Sequence, residues 1–249
     1  VTTLLLELSG PQQAWGSRSR YATRATELAP TRSGVIGLFA AALGMERTEP
    51  LDRFRDLRIG VRLDQPGTLE RDFQTARSFD GSTSYPLSQR YYLADAVFLV
   101  GVEGPSDELV ELRAAIARPY FPLFLGRRAF PPSGPILTEL VDAPLNDALR
   151  DAPWRARPHH RRTHSEEKVS LSTITDRAAG EPSGETRQDV PESFDPRRRR
   201  YSARDVTIRR VLVDHPDPRP GGGRSSVREG LLGSPTDHDP FSLLSDEEI

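Results

Sequence analysis

Residues 30–44, PTRSGVIGLFAAALG, constrain the fold of this chain more than any other stretch. Ile36, Phe39, Ala40 and Leu43 recur at helical spacing and predict a helix with one apolar face. Ser33 is placed to cap its start and Gly44 to end it. Residues 2–8 precede it as an apolar strand, so the chain opens on a strand–helix unit. The helix entrance carries Thr31, Arg32, Ser33 and Gly34 beside free backbone amides. Two readings of it stay open: a capped core helix, or a phosphate site at a helix N-terminus.

The segments that follow extend the pattern. Residues 57–64, LRIGVRLD, alternate apolar and polar or small side chains, which predicts a half-buried strand. Residues 66–95 form a polar, aromatic, turn-rich excursion with Asp80-Gly81 as a candidate hairpin tip. Residues 96–102, AVFLVGV, read as a buried strand. Residues 106–116 read as a helix capped by Ser106, with Leu109, Leu112 and Ile116 on one face and Asp107 and Glu108 in its first turn. One more strand, at residues 121–124 or in a stretch after them whose position the Pro-rich sequence leaves open, would complete a β-α-β-β-α-β unit. The expected class is therefore α+β: a four-stranded sheet with two helices on one face. A short helix at 144–152 and strands at 168–175 and 206–213 predict a small β-rich C-terminal subdomain. The expected units are 1–135, 136–215 and a tail, 216–249. From Glu229 onward the tail holds Asp237, Asp239, Asp246, Glu247 and Glu248 and no lysine or arginine, and reads as disordered.

Composition narrows the chemistry. With no cysteine in 249 residues, disulfides, thiol nucleophiles and cysteine metal sites are excluded. The net charge of -2 argues against a uniformly basic nucleic-acid binder. The start lacks the pattern of a signal peptide and no segment has the length and apolar purity of a membrane span, so the expected location is the cytoplasm. The basic residues are almost all arginine, Lys168 being the one lysine, and they fall in four groups. These are Arg18, Arg20, Arg24 and Arg32; Arg127 and Arg128; Arg155, Arg157, His159, His160, Arg161 and Arg162; and Arg197 to Arg200 with Arg204. Trp15, Tyr21, Tyr85, Tyr91, Tyr92, Trp154 and Tyr201 lie among them, as core residues or as platforms for bases. Catalytic signals are weak. His159 and His160 could serve acid–base cleavage of RNA. Asp214, His215 and Asp217 could hold a metal, although Pro216 and Pro218 read more simply as a turn. No Walker, HExxH or GxSxG motif is present.

The blocks LLELSGPQQAWG (5–16), PTRSGVIGLFAAALG (30–44), GVRLDQPG (60–67), RYYLADAVFLVGVEG (90–104), LFLGRRAFPPSGPI (123–136) and DVPESFDPRRRRYSARDV (189–206) occur in order at consistent spacing. Together they resemble the Cas5 (CasD) family of subunits in type I-E CRISPR surveillance complexes. The resemblance implies a ferredoxin-like, RRM-like N-terminal domain with an inserted β-hairpin thumb, here residues 73–92, and a small β-rich C-terminal part. It implies a non-catalytic, RNA-binding subunit, with no metal or cofactor, that holds the 5′ handle of CRISPR RNA. The implied protein partners are a Cas7-type backbone subunit and a Cas8-type large subunit, with target DNA engaged through the assembled complex. Carried onto this chain, the handle-binding residues are Gln13, Trp15, Gly16, Arg32, Ser33, Gly34, Arg127 and Arg128, with Arg77, Tyr85 and Arg90 on the thumb. The alternative is a metal-independent endoribonuclease acting on CRISPR RNA precursors, with His159, His160 and Tyr201 as its side chains.

Overall fold

The computed structural model describes residues 1–16, 23–181 and 184–218. Arg18, Arg20, Tyr21, two positions of the 178–186 segment and nearly all of the tail, His238 included, lie outside the described residues. The elements are β1 (Thr2–Ser9), β2 (Gln12–Gln13), β3 (Thr23–Arg24), α1 (Arg32–Ala42), β4 (Arg58–Gln65), β5 (Thr68–Arg77), β6 (Ser84–Ala94), β7 (Val97–Gly104), α2 (Ser106–Ala117), β8 (Thr138–Val141), α3 (Leu145–Asp151), α4 (Pro158–Arg161), β9 (Lys168–Asp176), β10 (Glu185–Ser193) and β11 (Arg200–Asp214).

The helix at 30–44 forms with its cap shifted. Thr31 is the N-cap, its hydroxyl accepting from the Gly34 N–H at 3.2 Å. The expected cap, Ser33, instead lies inside the first turn, with its hydroxyl 3.2 Å from that of Thr31. Gly44 ends the helix as expected. Its φ of 76° lets the Gly44 N–H reach Ala41 O and the Met45 N–H reach Ala40 O, which satisfies the last carbonyls. On α2 the cap position is Pro105 and Ser106 makes no capping bond, whereas Leu109, Leu112 and Ile116 are buried as predicted.

Seven strands make one sheet in the order β10-β11-β9-β4-β7-β1-β8. All its pairings are antiparallel. Its centre, β8-β1-β7-β4, is a β-α-β-β-α-β unit whose first strand lies between the third and the fourth. The fourth strand is Thr138–Val141, not residues 121–124. Pro119, Pro122, Pro131, Pro132 and Pro135 remove ladder donors from the intervening stretch and delay the strand. The C-terminal strands do not form a separate sheet, for β9 pairs with the open edge of β4 and carries β11 and β10 with it. The result is a strand-dominated mixed α/β architecture. Among the described residues no helix is long and apolar enough to cross a membrane.

The sheet is covered on both faces. Leu4, Leu6, Leu8, Ile59, Val61, Phe98, Val100 and Val102 pack with α1 and α2 in the main core. On the other face Leu5 and Leu99 pack with Leu145 and Leu149 of α3. Gly60 and Gly101 make room for that helix, since a methyl group there would meet Leu149 Cδ1 at 2.8 Å and Leu145 Cδ1 at 2.7 Å. Arg62 is wholly buried and donates to the carbonyls of Leu149 and Ala152, both at 2.6 Å, so a cation sits at the C-terminal end of α3. Asp64, equally buried, pairs with the same guanidinium at 2.7 Å. The alternation in residues 57–64 therefore does not mark a solvent face. Arg62 and Asp64 are buried too, because α3 and the residues after it supply partners for them, while Arg58 stays half-buried against Glu103.

Candidate nucleic-acid interface

With both faces of the central strands covered, the hairpin offers the most extended surface to a polyanion. Residues 66–95 fold into a long antiparallel hairpin, β5 against β6, with Asp72 opposite Arg90 and Ala76 opposite Tyr85. Every residue of β5 is exposed. Gly81 turns the tip with φ 71°. The hydroxyls of Ser78 and Ser82 and the Ser82 N–H hydrogen-bond to the exposed carboxyl of Asp80 and pull its pKa down to about 2. Phe73, Phe79, Tyr85 and Leu87 are all exposed along the hairpin, and the Arg71 guanidinium lies 4.8 Å from the centre of the Phe73 ring.

Three segments meet at the root of this hairpin. The short β3 pairs with β6 in parallel, so that Arg24 stands beside Arg90. The loop at 125–128 is clamped to the first loop: the Ala14 N–H donates to Leu125 O at 3.1 Å. Gly126, with φ 86°, comes so close that a methyl group would lie 1.6 Å from the Ala14 carbonyl oxygen. This places Arg127 over Phe130, 5.5 Å from the ring centre, with its Nη2 donating to the Arg24 carbonyl at 3.1 Å. Phe130 in turn packs against Tyr92 at 5.6 Å. Burial lowers the pKa of Arg127, and the neighbouring charges of Arg90 and Arg24 lower it further, against an opposing pull from Asp72. Among the described residues, Arg24, Arg90, Arg127 and Arg128 have no carboxylate partner within salt-bridge distance.

The predicted site residues sort into distinct places. Arg90, Arg127, Arg128 and the exposed Gly16 lie at the root of the hairpin or on the loops clamped there. Arg77 and Tyr85 are near its tip, Tyr85 five strand residues from Arg90, or about 17 Å. Gln13 and Trp15 are core residues. The Gln13 amide donates to Ala96 O at 2.8 Å and accepts from the Trp15 indole at 3.2 Å. Gly34 leaves room for that indole, since a methyl group there would lie 2.7 Å from Trp15 Cε3. Arg24 belonged to a basic run in the sequence but not to the predicted site. Its position depends on a two-residue parallel pairing that no local pattern announces.

The α1 entrance holds a carboxylate where the sequence reading allowed a phosphate. Asp189 accepts from the Arg32 N–H at 2.7 Å. The Arg32 side chain is buried and donates to Leu57 O at 2.8 Å, Phe54 O at 3.0 Å and Asp176 at 2.7 Å. Arg204 bonds to Asp189 at 2.6 and 2.8 Å and also to Asp176. Burial pushes the Asp189 carboxyl up, but the bonds and charge of Arg204 and the Arg32 N–H outweigh it and hold the pKa below the usual carboxylate range.

The residues of the alternative chemistry are scattered. Rings of His160, His164 and His215 surround Trp154 at 6.0, 5.2 and 5.1 Å, and His159 pairs with Asp95 at 2.7 Å. His215 Nδ1 accepts from the Asp217 N–H and its Nε2 donates to Arg161 O, each at 3.0 Å, so both ring nitrogens are engaged. No group of residues suited to a metal ion occurs among the described residues. Tyr201 sits at the far end of β11, separated from the histidines by a run of strand on the order of 40 Å. It cannot share a reacting centre with His160.

Fold and surface define a class: a strand-rich α/β protein that gathers unpaired arginines at the root of a long hairpin. The family described as CRISPR-associated protein (Cas_Cas5) matches residues 3–207, and the chain belongs to this Cas5 family. It is 35% identical over 153 residues to the CRISPR system Cascade subunit CasD of Escherichia coli (strain K12), a match covering 53% of this chain and 68% of that protein. Among solved structures, a chain of a CRISPR RNA-guided surveillance complex superposes with TM-score 0.71 at 35% identity, covering 89% of this chain and 95% of that one. A crystal structure of a Cas protein gives 0.63 at 35% identity, covering 88% and 98%.

Proposed function

We propose that this chain is a non-catalytic Cas5 subunit of a type I-E CRISPR surveillance complex that holds the 5′ handle of CRISPR RNA at the root of its hairpin. One observation carries the reading: among the described residues, Arg24, Arg90 and Arg127 converge with no carboxylate at salt-bridge distance, and Asp72, opposite Arg90, acts on them only from farther off. Gathering like charges is unfavourable in the free protein, and a phosphate backbone removes the repulsion. The exposed rings of Phe73 and Tyr85 farther along the hairpin suit unstacked bases of a single strand.

In this reading the β8-β1-β7-β4 unit is a ferredoxin-like core, the hairpin is the thumb, and Arg77 and Tyr85 act farther along the RNA than the arginines do. Gly16 borders the same strand. Rather than touching phosphates, Arg32 ties the start of α1 to Asp189 and Asp176, Ser33 lies beside the Thr31 cap, and Gly34 makes room for Trp15. The guide RNA reads the target by base pairing, and this subunit anchors the guide's end. Cas7-type and Cas8-type subunits are its protein neighbours, target DNA is reached through the assembly, and the complex acts in the cytoplasm. Support for a non-catalytic role comes from the separation of His160 and Tyr201 and from the Cascade subunit named among the relatives.

The test is direct binding of repeat-derived RNA to the full chain and to its R24A/R90A/R127A variant. The expected result is a loss of at least tenfold in affinity with an unchanged fold. Equal affinity of the two proteins overturns the assignment.

A further inference from the structure

The fourth basic run is not used by the site just described. Arg204 is part-buried and paired with Asp176 and Asp189, so the run divides into one structural arginine and an exposed turn. The turn joins β10 to β11. Its backbone is fixed by Asp195, whose carboxylate accepts from the Arg197 N–H at 2.8 Å and whose carbonyl accepts from the Arg198 N–H at 3.0 Å. Phe194 anchors it from behind, packing against the main core beside Gly37 of α1. Arg197, Arg198 and Arg199 are exposed and have no carboxylate partner among the described residues, while Arg200 has only Glu192 at 3.8 Å. A rigid support therefore presents three consecutive unpaired guanidiniums.

This turn belongs to other elements than the hairpin cluster. Arg200 lies at one end of β11, and Asp214 at the other, paired with Lys168. Beyond Asp214, His215 bonds to Arg161 of α4, and His159 bonds to Asp95 at the foot of the hairpin. The two basic surfaces are thus borne by different elements, the β10–β11 turn and the root of the hairpin. Their chemistry differs as well. The hairpin bears the exposed rings of Phe73, Phe79 and Tyr85, whereas the turn has a single exposed ring beside it, Tyr201. Single strands are held largely by stacking of successive bases. A duplex keeps its bases stacked inside and presents about one phosphate charge per 1.7 Å of axis. Charge with little stacking surface matches the duplex.

We propose that the Arg197–Arg199 turn is a second nucleic-acid contact, one that holds the phosphate backbone of duplex DNA without reading its sequence. The test measures binding of a short random-sequence DNA duplex and of a short single-stranded RNA to the full chain across a salt series. It uses the R197A/R198A/R199A variant, the corresponding triple lysine variant, and R24A/R90A/R127A. Loss of three phosphate contacts makes the slope of log affinity against log salt shallower by about 2.7, which removes about 40-fold of the duplex affinity change between about 50 and about 200 mM salt. The lysine variant keeps the wild-type slope, and the alanine variant keeps its affinity for RNA. An unchanged duplex slope, a wild-type chain that does not bind the duplex, or a loss confined to RNA overturns the proposal. Failure of R24A/R90A/R127A to weaken RNA binding bears on the hairpin site alone.

Discussion

The carboxylate of Asp189 accepts a hydrogen bond from the backbone N–H of Arg32 at 2.7 Å, and so an internal anion occupies the start of α1. The bond joins β10, near the end of the chain, to its first helix. Arg204 and Asp176 complete a buried four-charge group that locks the C-terminal strands over α1. Removing Asp189 leaves Arg204 and the helix start short of a partner. The Asp189→Ala variant is expected to lose about 3 kcal/mol of stability, as when one member of a buried ion pair is deleted. Urea unfolding measures this, and a loss below about 1 kcal/mol would show that the group relaxes around water instead.

The same carboxylate sets an acid limit. Its folded pKa is depressed, so its contribution is present above the unfolded carboxylate value of about 4 and disappears as pH falls through the lower folded value. The stability difference between wild type and Asp189→Asn is expected to stay constant at neutral pH and shrink below about pH 4. A difference independent of pH in that range would assign the effect to packing. His160 acts at milder acidity. Burial lowers its pKa, and the adjacent His164 and His159 lower it further against Asp95, so the unfolded chain takes up the proton first. Stability therefore falls as pH drops below about 6.5, until the folded form also protonates. His160→Gln removes that dependence, which thermal unfolding at pH 7 and at pH 5 detects.

Gly126 holds the arginine loop to the first loop. Alanine there meets the Ala14 carbonyl and must also adopt a positive φ. Gly126→Ala is expected to cost about 2 kcal/mol or more and to displace Arg127 from Arg24. Affinity for repeat-derived RNA should fall in parallel, read by fluorescence anisotropy. Unaltered RNA affinity in a destabilised protein would separate the clamp from the binding surface.

The hairpin tip and its root are expected to separate by function. Replacing residues 74–88 with a short Gly/Ser turn removes strand that the core does not bury, and it leaves Gln89 and Arg90 paired with β3. Melting should be little changed, and RNA affinity of the isolated chain should fall by about fivefold or more as the Tyr85 platform is lost. Assembly with the other subunits of the complex should fail, as read by co-purification. Normal assembly would show that the tip has no part in it.

Much of the core was legible because its signals are local. The α1 and α2 stripes, the buried run at 96–102 and the turn at Asp80-Gly81 each depend on residues close in sequence. The fourth strand was left open between residues 121–124 and a later stretch because prolines postpone a short segment that is fixed by pairing with β1. Arg62 looked like a solvent-facing residue because nothing within residues 57–64 reveals that α3 will cover it. For the site, the LGRR loop was legible as a glycine beside arginines. Its clamp on Ala14 and the approach of Arg24 to Arg90 were not, since both depend on contacts between distant segments.

The sequence by itself determined the helical and strand periods, the absence of cysteine chemistry, the four arginine groups and the family pattern. Tertiary structure alone decided which arginines are available. Every guanidinium carries the same charge in the unfolded chain, and only the fold brings a carboxylate to some and withholds it from others. Arg32, Arg62 and Arg204 became part of the interior because Asp176, Asp64 and Asp189 reached them, whereas Arg24, Arg90, Arg127 and the 197–199 turn were left facing outward with their charge unanswered.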